Sequence, residues 1–356
     1  MGLNSGVLES AGTEQREAVV TVAGGAIPIR IGRGAARDVK SWWPERWRRA
    51  LLVTQEGVPI PFDIPDGVAV SYVEKSEGAK CLATIERLAS DAIRAGLTRN
   101  DGVIAVGGGV VTDVAGFFAS VYYRGIELVN IPTSLLGMVD AAIGGKTGVN
   151  LAEGKNLLGS FWQPLAVICD LDTLASLPPR EWRSGAGEMA KYIFLGAGDL
   201  LSHPFDLQVY GCARIKAEVV SADERESGTR ALLNYGHTLG HAIEGAFLAR
   251  GEESAISHGE AVAVGMIFAS RLARSLGRIS AERVEEHLRV LSAFHLSPFF
   301  PPELEPEEML GYLKVDKKNQ AGLTFVLDGS AGLEVVAGIE ETVVLREIEE
   351  FARWSG

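Results

Sequence analysis

The sequence lacks long apolar runs and any excess of positive charge, and each absence excludes a class of protein. No stretch approaches the roughly 18 consecutive apolar residues of a membrane-spanning helix, so we expect no membrane association. The sequence begins MGLNSGVLESAGTEQREAVV, without a basic flank leading into an apolar run, and we expect no signal peptide. A formal net charge of −12 argues against binding to nucleic acid, since that needs a basic surface.

Cysteine is also scarce. The three cysteines, Cys81, Cys169 and Cys212, lie far apart and form no Cys-x-x-Cys motif. This distribution indicates reduced thiols rather than a disulfide framework or a cysteine metal site. We therefore predict a cytoplasmic protein.

Lysine is the third scarce residue, because only ten of the 34 lysines and arginines are lysines. Six of the ten lie in or beside the motif-like segments described below: Lys146, Lys155, Lys191, Lys216, Lys317 and Lys318. Lysine supplies a compact charge and a pKa that its surroundings can shift. These lysines are candidates for binding a small anionic ligand, and a chance distribution is the alternative.

The 356 residues, 47% of them hydrophobic, predict two globular domains. The first half alternates short β-branched runs with helical patterns, which predicts a Rossmann-like, mostly parallel sheet. After Pro178-Pro179 the pattern is mostly helical, with one predicted strand in LTFVLDG. We predict an α/β domain over residues 1–178 and an all-α domain over residues 179–356. Ligands are expected at the strand ends and in the crevice between the domains.

Glycines mark the most distinctive turn of the first domain. In VIAVGGGVVTDVAG, Gly107, Gly108 and Gly109 fall between a predicted strand and a predicted helix. Glycine lets backbone amides approach a phosphate closely, and a helix N-terminus favours an anion. The spacing is not Gly-x-Gly-x-x-Gly, so a structural turn is the alternative to a dinucleotide site.

A second glycine-rich segment, PTSLLGMVDAAIGGKTGVNLAEGKNLLGSFWQP, carries Asp140, Lys146 and Lys155. Each lysine follows a glycine, and we predict that tight backbone turns hold both lysines toward anionic oxygens. Neither site satisfies the Walker A pattern. A flexible surface loop is the alternative, which the apolar content of the segment disfavours.

Polar residues interrupt the apolar helical half. Glu188 and Lys191 are spaced to meet on one helix face within an apolar segment, which predicts a buried pair rather than a surface ion pair. A second helix is predicted from Thr229 to Leu248. Its polar stripe would line a cavity, and it comprises Arg230, Asn234, His237 and His241.

Four residues could coordinate a metal: Glu188, His237, His241 and His258. Catalytic zinc sites use three protein ligands and keep one position open. Spacing alone favours His237 and His241, as in His-Glu-x-x-His enzymes, but HTLGH lacks the glutamate of that motif. The residues by themselves leave open which three of the four would bind.

Taken together, these segments resemble the 3-dehydroquinate synthase family of sugar phosphate cyclases. The matching segments run in family order: GGGVVTDVAGFFAS, PTSLLGMVDAAIGGKTGVN, GKNLLGSFWQP, GEMAKY, DERESGTRALLNYGHTLGHAIE, HGEAVAVGM and DKKN. The resemblance implies an NAD-binding α/β domain, a helical domain and an active site between them. It implies tightly held NAD, one divalent metal (zinc or cobalt) and a homodimer.

The resemblance also implies residue roles. The metal ligands match Glu188, His237 and His258, which leaves His241 facing the substrate phosphate. The catalytic residues match Asp140, Lys146, Lys191, Glu226 and His241. The substrate contacts match Lys146, Asn156, Lys216, Arg230, Asn234, His241, Lys317, Lys318 and, from the partner subunit, an arginine equivalent to Arg124. The NAD contacts match Glu74, Lys75, Glu77, Lys80, Gly107, Gly108, Gly109, Val110, Val111, Asp113, Thr133, Ser134, Asp140, Lys146, Lys155, Thr173, Leu174 and Ser176.

The implied reaction converts 3-deoxy-D-arabino-heptulosonate 7-phosphate to 3-dehydroquinate and phosphate. It combines a transient oxidation by NAD, elimination of phosphate, reduction and an intramolecular aldol closure. A sister cyclase acting on sedoheptulose 7-phosphate or on an aminated dehydroquinate precursor is the nearest alternative. A metal-dependent polyol dehydrogenase and a non-catalytic nucleotide-binding protein are more distant ones.

Overall fold

The structure, a computed structural model, describes residues 12, 14–151, 153–226, 228–252, 255–315 and 322–354. The chain forms two compact units. Unit 1 combines Met1–Trp182 with Ser202–Arg225, and unit 2 combines Arg183–Leu201 with Glu226–Gly356. The predicted division into an NAD-binding and a metal-binding domain at residue 178 stays a prediction.

Unit 1 contains a seven-stranded sheet in the order β1-β2-β9-β6-β5-β3-β4. Its strands are β1 (Arg16–Val22), β2 (Gly25–Gly32), β3 (Ala50–Gln55), β4 (Val68–Val73), β5 (Gly102–Gly107), β6 (Glu127–Pro132) and β9 (Ala166–Asp170). Only the hairpin of β1 and β2 is antiparallel, and every other pairing is parallel. The predicted Rossmann-like, mostly parallel sheet is confirmed.

Both faces of the sheet are buried along its central strands. Along β5, Val103 and Ala105 join one hydrophobic core, while Ile104 and Val106 join another. Because successive side chains of a strand point to opposite faces, a continuous apolar run is what a sheet covered on both sides requires. The helices of unit 1 are α1 (Leu82–Arg94), α2 (Gly109–Val121) and α4 (Phe205–Ala222).

A hairpin of β7 (Lys146–Leu151) and β8 (Gly154–Phe161) lies outside the main sheet. Tight turns precede both lysines: Lys146 follows Gly144 (φ 100°) and Gly145 (φ 69°), and Lys155 follows Gly154, which pairs with Leu151 across the hairpin. That these turns hold the lysines toward anionic oxygens stays a prediction. Lys155 lies at the start of β8. The segment is therefore a structured element and not a flexible loop.

Unit 2 is mostly helical. Its helices are α3 (Pro179–Phe194, which begins in unit 1), α5 (His237–Ala249), α6 (His258–Ser275), α7 (Ala281–Ala293), α8 (Pro306–Val315) and α9 (Glu341–Ala352). The predicted strand in LTFVLDG is β10 (Leu323–Leu327), and it pairs with an unpredicted strand, β11 (Glu334–Ile339). Among the described residues, none of the helices is both long and apolar enough to cross a membrane.

The continuous helix predicted from Thr229 to Leu248 is wrong. A short 3-10 helix covers Thr229–Asn234, Gly236 adopts a left-handed conformation (φ 80°), and α5 begins at His237. A Cβ atom at Gly236 would lie 2.6 Å from the Val262 carbonyl oxygen and 2.7 Å from the Met266 side chain. The backbone turns here so that it can pack against α6. The predicted stripe of four residues along one helix therefore does not exist, and only His237 and His241 share a helix face.

Candidate active site

Close contact between helix backbones brings the metal-ligand candidates of unit 2 together. A Cβ atom built on Gly187 of α3 would lie 2.1 Å from the carbonyl oxygen of Gly259 at the start of α6. Only glycine permits so close an approach. Glu188 and His258 are the neighbours of these two glycines in the sequence, so the contact sets their side chains side by side.

Glu188, His237 and His258 form one cluster. Glu188 Oε1 lies 3.4 Å from His237 Nε2 and 3.5 Å from His258 Nε2. Their donor atoms all lie within 4.8 Å of one another, and the Glu188 side chain is fully buried. Two imidazoles and a carboxylate form one of the donor sets that catalytic zinc sites use. The residues present therefore fit a divalent metal.

Each histidine of the cluster has its other ring nitrogen occupied. His237 Nδ1 lies 3.1 Å from the main-chain oxygen of Tyr235, which can only accept a hydrogen bond. His258 Nδ1 lies 3.0 Å from Glu244 Oε2. Both rings thus carry a proton on Nδ1 and direct Nε2 toward Glu188, which is the orientation that coordination through Nε2 needs.

The charges in the cluster are strongly coupled. Burial by itself would raise the pKa of Glu188, but the paired Lys191 ammonium and the two histidine rings outweigh it and hold this pKa well below its usual range. Burial, together with the Lys191 ammonium, lowers the pKa of His237 to about 3. Burial opposes the charged form of His258, but hydrogen bonds from its ring to Glu188 and Glu244 raise its pKa to about 10. The predicted buried pair of Glu188 and Lys191 is thus present.

His241 lies beside the same cluster. Its ring centroid is 5.3 Å from that of His237 and 5.9 Å from that of His258. The donor atoms of His241, Glu244 and His258 also lie within 4.8 Å of one another. The structure thus brings all four predicted metal candidates together, and it adds Glu244. His241 is exposed, whereas Glu188 and His237 are buried.

The remaining predicted residues of unit 2 lie just before α5. Asn234 Nδ2 donates a hydrogen bond to Glu226 Oε1 at 3.1 Å. Arg230 is almost completely buried, with 1% of its surface exposed. Lys317 and Lys318 lie outside the described residues.

In unit 1, three of the predicted NAD-binding segments meet at one edge of the sheet. Gly107–Gly109 follows β5, Thr133 and Ser134 follow β6, and Leu171–Ser176 follows β9 as a 3-10 helix. Strands β9, β6 and β5 are adjacent and parallel, so their carboxyl ends lie side by side. The Thr133 amide donates to the Gly107 carbonyl at 3.0 Å, which links two of the segments. Such an edge is the usual ligand site of a doubly wound sheet.

Lys80 connects several predicted residues of unit 1. Its side chain, 5% exposed, places Nζ 2.7 Å from Asp113 Oδ2, 3.5 Å from Glu77 Oε1 and in contact with Asn156 Oδ1. Burial raises the pKa of Asp113, although the Lys80 ammonium opposes the shift. The structure thus brings the predicted NAD-binding residues of this region together with the hairpin residue Asn156. Glu74 and Lys75 directly follow β4, while Lys146, Lys155 and Arg124 are exposed.

Asp140 and Lys216 form a second polar pair in unit 1. Lys216 Nζ lies 2.5 Å from Asp140 Oδ1 and 2.6 Å from the Asp140 carbonyl oxygen. Lys216 comes from α4, which also contacts β1: the Thr21 amide donates to Ser221 Oγ at 2.8 Å. Two residues 76 positions apart in the sequence therefore form one charged pair.

Sequence reasoning assigned no role to Glu244. A signal was available, because Glu244 follows His237 by seven residues and His241 by three, which places all three on one face of α5. Tyr235 carries no comparable signal, since its carbonyl is brought to His237 by the turn at Gly236.

A doubly wound sheet with a glycine-rich strand-to-helix turn, combined with a helical unit holding a Glu-His-His cluster, is the arrangement of a nucleotide- and metal-dependent enzyme. Within that class, the chain belongs to the 3-dehydroquinate synthase family. The family's N-terminal model matches residues 70–184, and its C-terminal model matches residues 185–319. The predicted family membership is confirmed.

Individual relatives agree with this membership. A protein of Amycolatopsis mediterranei (strain S699) named "Putative aminodehydroquinate synthase" is 44% identical over 308 residues, 86% of either chain. The 3-dehydroquinate synthase of Leifsonia xyli subsp. xyli (strain CTCB07) is 38% identical over 363 residues, 96% of this chain and 99% of its own. A crystal structure of 2-deoxy-scyllo-inosose synthase with carbaglucose-6-phosphate, NAD+ and Co2+ superposes with a TM-score of 0.83 at 27% identity, covering 94% of this chain and 100% of that one.

Proposed function

We propose that this chain is a carbon–oxygen lyase that converts 3-deoxy-D-arabino-heptulosonate 7-phosphate to 3-dehydroquinate and phosphate, a step of aromatic amino acid biosynthesis. The observation that carries the proposal is the Glu188–His237–His258 cluster with its buried Lys191, in a chain of which 96% aligns with a 3-dehydroquinate synthase. The cytoplasmic location predicted from the cysteines stays a prediction.

NAD and one divalent metal, zinc or cobalt, are the proposed cofactors. The turn at Gly107–Gly109 and the segments beside it would hold NAD, and Glu188, His237 and His258 would hold the metal. When bound, NAD supplies a reversible hydride acceptor and the metal supplies a Lewis acid. A crystal structure of a similar fold that contains NAD+ and Co2+ supports both assignments.

The chain's own residues have separate tasks. Lys191 balances the charge of the buried Glu188, so the cluster keeps its carboxylate ionised. In unit 1, Lys216 is held by Asp140 and is proposed to bind the substrate carboxylate. In unit 2, the buried guanidinium of Arg230 is proposed for the same anion. Fixed cations of this kind bind an anion with little rearrangement.

Asp140, Glu226 and Lys191 are proposed to contact the ring hydroxyls. A phosphate needs several hydrogen-bond donors, and four residues of this chain are proposed to supply them together with Arg124 of the partner subunit: Lys146, Asn156, Asn234 and His241. Either Lys317 or Lys318 would add a cation.

The decisive experiment incubates the purified protein with the heptulosonate phosphate, NAD and zinc. Phosphate release without net formation of NADH is expected, because the proposed overall reaction does not consume NAD. Accumulation of NADH would instead indicate a polyol dehydrogenase. Absence of turnover by the metal-loaded protein would overturn the assignment as an enzyme of this reaction.

An aminated substrate is the second candidate, and the 44% identity to the Amycolatopsis mediterranei relative favours it. The two substrates differ in one polar group, so competition between them in a single assay separates the candidates. We expect the oxygen-containing substrate to have the higher kcat/KM. A higher kcat/KM for the aminated substrate would reassign the chain to aminodehydroquinate synthesis.

We also propose a homodimer in which Arg124 reaches the partner's site. Arg124 is exposed and has a left-handed backbone (φ 66°), and the preceding Tyr123 is 50% exposed. Arg124→Ala and His237→Ala subunits should each be inactive alone, but a mixture should regain partial activity, because a hybrid dimer contains one complete site. A mixture as inactive as its components would contradict a shared site.

A further inference from the structure

The carboxylate of Glu244 contacts a proposed metal ligand on the side away from the cluster. Glu244 Oε2 lies 3.0 Å from His258 Nδ1, and the two side chains are 22% and 27% exposed. His258 Nε2, the other nitrogen of the ring, lies 3.5 Å from Glu188 Oε1. The imidazole of His258 is therefore held between two carboxylates, one at each nitrogen.

The two proposed histidine ligands are oriented by different means. His237 Nδ1 donates to the main-chain oxygen of Tyr235, a contact that does not depend on the side chain at position 235. His258 Nδ1 faces a side-chain carboxylate. A carboxylate accepts the Nδ1 proton and adds negative charge, which strengthens the opposite nitrogen as a metal ligand. Of the two contacts, only that of His258 can be removed by a substitution.

We propose that Glu244 is a positioning residue for the metal site, which fixes the Nδ1-protonated form and the ring orientation of His258. The inference rests on the proposed function only in requiring that the Glu188–His237–His258 cluster binds a divalent metal. Glu244 extends from α5, the helix that begins with His237. One short helix thus supplies a metal ligand through its first residue and orients a ligand of α6 through its eighth.

A competing role for Glu244 must be distinguished. Since the donor atoms of His241, Glu244 and His258 also lie within 4.8 Å of one another, Glu244 could bind a metal directly together with His241. Direct binding predicts that removal of His241 and removal of Glu244 weaken metal binding equally. Positioning predicts that only the removal of Glu244 weakens it.

The experiment measures zinc affinity by competition with a chromophoric chelator, without NAD or substrate. It compares wild type with Glu244→Ala, Glu244→Gln, His241→Ala and the control Glu347→Gln. Glu347 is a matched control because it is a mostly buried carboxylate of unit 2 that pairs with Arg271 at 3.0 Å, outside the cluster. We expect Glu244→Ala to weaken zinc binding about 10–100-fold, the usual effect of removing such a partner. Glu244→Gln should lose less zinc affinity, because the glutamine amide oxygen can still accept a hydrogen bond from His258 Nδ1.

A second measurement separates positioning from general damage. In zinc-loaded protein labelled with 15N-histidine, the hydrogen-bonded Nδ1–H signal of His258 should persist in Glu244→Gln and disappear in Glu244→Ala. Thermal unfolding in excess chelator compares both variants with wild type and measures any loss of stability that does not involve zinc. Unchanged zinc affinity in Glu244→Ala, or equal losses in Glu244→Ala and His241→Ala, would overturn the proposal.

Failure of this proposal and failure of the proposed function can be told apart. If wild type binds zinc and releases phosphate, and Glu244→Ala binds zinc as tightly as wild type, only the proposed role of Glu244 is ruled out. If wild type binds zinc but releases no phosphate, the proposed reaction is ruled out. Weaker zinc binding by Glu244→Ala would still support the positioning role of Glu244. Wild type that binds neither zinc nor cobalt would overturn both.

Discussion

At the residue scale, the two histidines of HTLGH have different surroundings. His237 is buried and directs Nε2 toward Glu188, whereas His241 is exposed at the side of the cluster. Both geometry and burial therefore favour His237 as the metal ligand. The division of labour between them can be tested directly.

His237→Ala should lose zinc, and His241→Ala should retain it. Removing a ligand should cost more than the 10–100-fold typical of an outer partner, so we expect more than about a 100-fold loss of affinity in His237→Ala. His241→Ala should instead lower kcat/KM about 10–100-fold through a lost hydrogen bond to a charged group. Zinc content after dialysis and steady-state kinetics measure the two effects. Equal loss of zinc in both variants would restore a metal site built on the histidine pair.

A third histidine, His287, is buried away from solvent as a neutral ring. It stacks on Phe194 with ring centroids 3.8 Å apart, contacts Tyr235 Oη through Nε2 at 2.7 Å, and donates from Nδ1 to the Arg283 carbonyl at 2.7 Å. Burial lowers the pKa of His287 to about 4, although the carboxylate of Asp328, 4.0 Å from Nε2, opposes the shift. Its hydrogen bonds are thus complete in the neutral form.

Stability should therefore fall in acid. A histidine whose pKa is lower in the folded state stabilises the fold above its unfolded pKa of about 6.5 and loses this contribution as the pH falls toward 4. Between pH 7 and pH 5 the loss from His287 should be about 2 kcal/mol of unfolding free energy. Urea unfolding at both pH values measures it. His287→Asn should show a correspondingly smaller drop, while the exposed His295→Gln should keep the wild-type drop, and identical drops in all three proteins would contradict the assignment.

At the element scale, backbone contact between α3 and α6 is the feature on which the cluster depends. Gly187→Ala would place a Cβ atom 2.1 Å from the Gly259 carbonyl oxygen, so the helices must separate. Overpacking of this kind costs about 1–3 kcal/mol. Because Glu188 and His258 adjoin the contact, zinc affinity should fall as well.

Gly311→Ala in α8 is the matched control for that substitution, since a Cβ atom there would meet nothing within 4 Å. It should be neutral or stabilise the fold by up to about 1 kcal/mol, because alanine favours helix. Thermal unfolding and zinc titration compare the two variants. Gly187→Ala that is as stable and binds zinc as tightly as Gly311→Ala would show that the close contact has no role.

Elements with a strong periodic signal could be predicted from the sequence, and those fixed by tertiary contact could not. The apolar run of β5 and the glycines after it predicted the parallel sheet and the edge of the sheet at which a ligand is expected. The break at Gly236 was missed because apolar periodicity continues through it, and only packing against Met266 and Val262 shows why the helix stops. Strand β11 was missed because its residues are mostly exposed and do not alternate.

The same holds for the site. The four metal candidates could be identified from residue type and context, and the family resemblance implied three of them, Glu188, His237 and His258. The geometry around Glu188 supports that choice. The pairing of Lys216 with Asp140 spans 76 positions, and no local pattern indicates it. Glu244 was within reach of helix periodicity, but its partner His258 lies on another helix.

At the scale of the whole molecule, the chain path crosses between the two units more than once. Helix α4 belongs to unit 1 although it follows the first helical segment of unit 2. Asp206 holds it there, accepting from the Gly12 amide at 3.1 Å and pairing with Arg16 at 3.4 Å. Because the chain alternates between the two units, an experiment is needed to show which unit binds each ligand.

Hydrogen exchange provides that assignment. A ligand that binds only the folded state suppresses local opening, and at 100 times its Kd it adds about 2.7 kcal/mol, or roughly 100-fold slower exchange. Zinc should slow exchange mainly in α5 and α6, and NAD should slow it at the start of α2. Mass spectrometry of peptides from wild type and His237→Ala measures both effects, and the variant should lose the zinc effect while it keeps the NAD effect. Zinc protection centred on α2, or zinc protection that survives in His237→Ala, would place the metal away from Glu188 and His258.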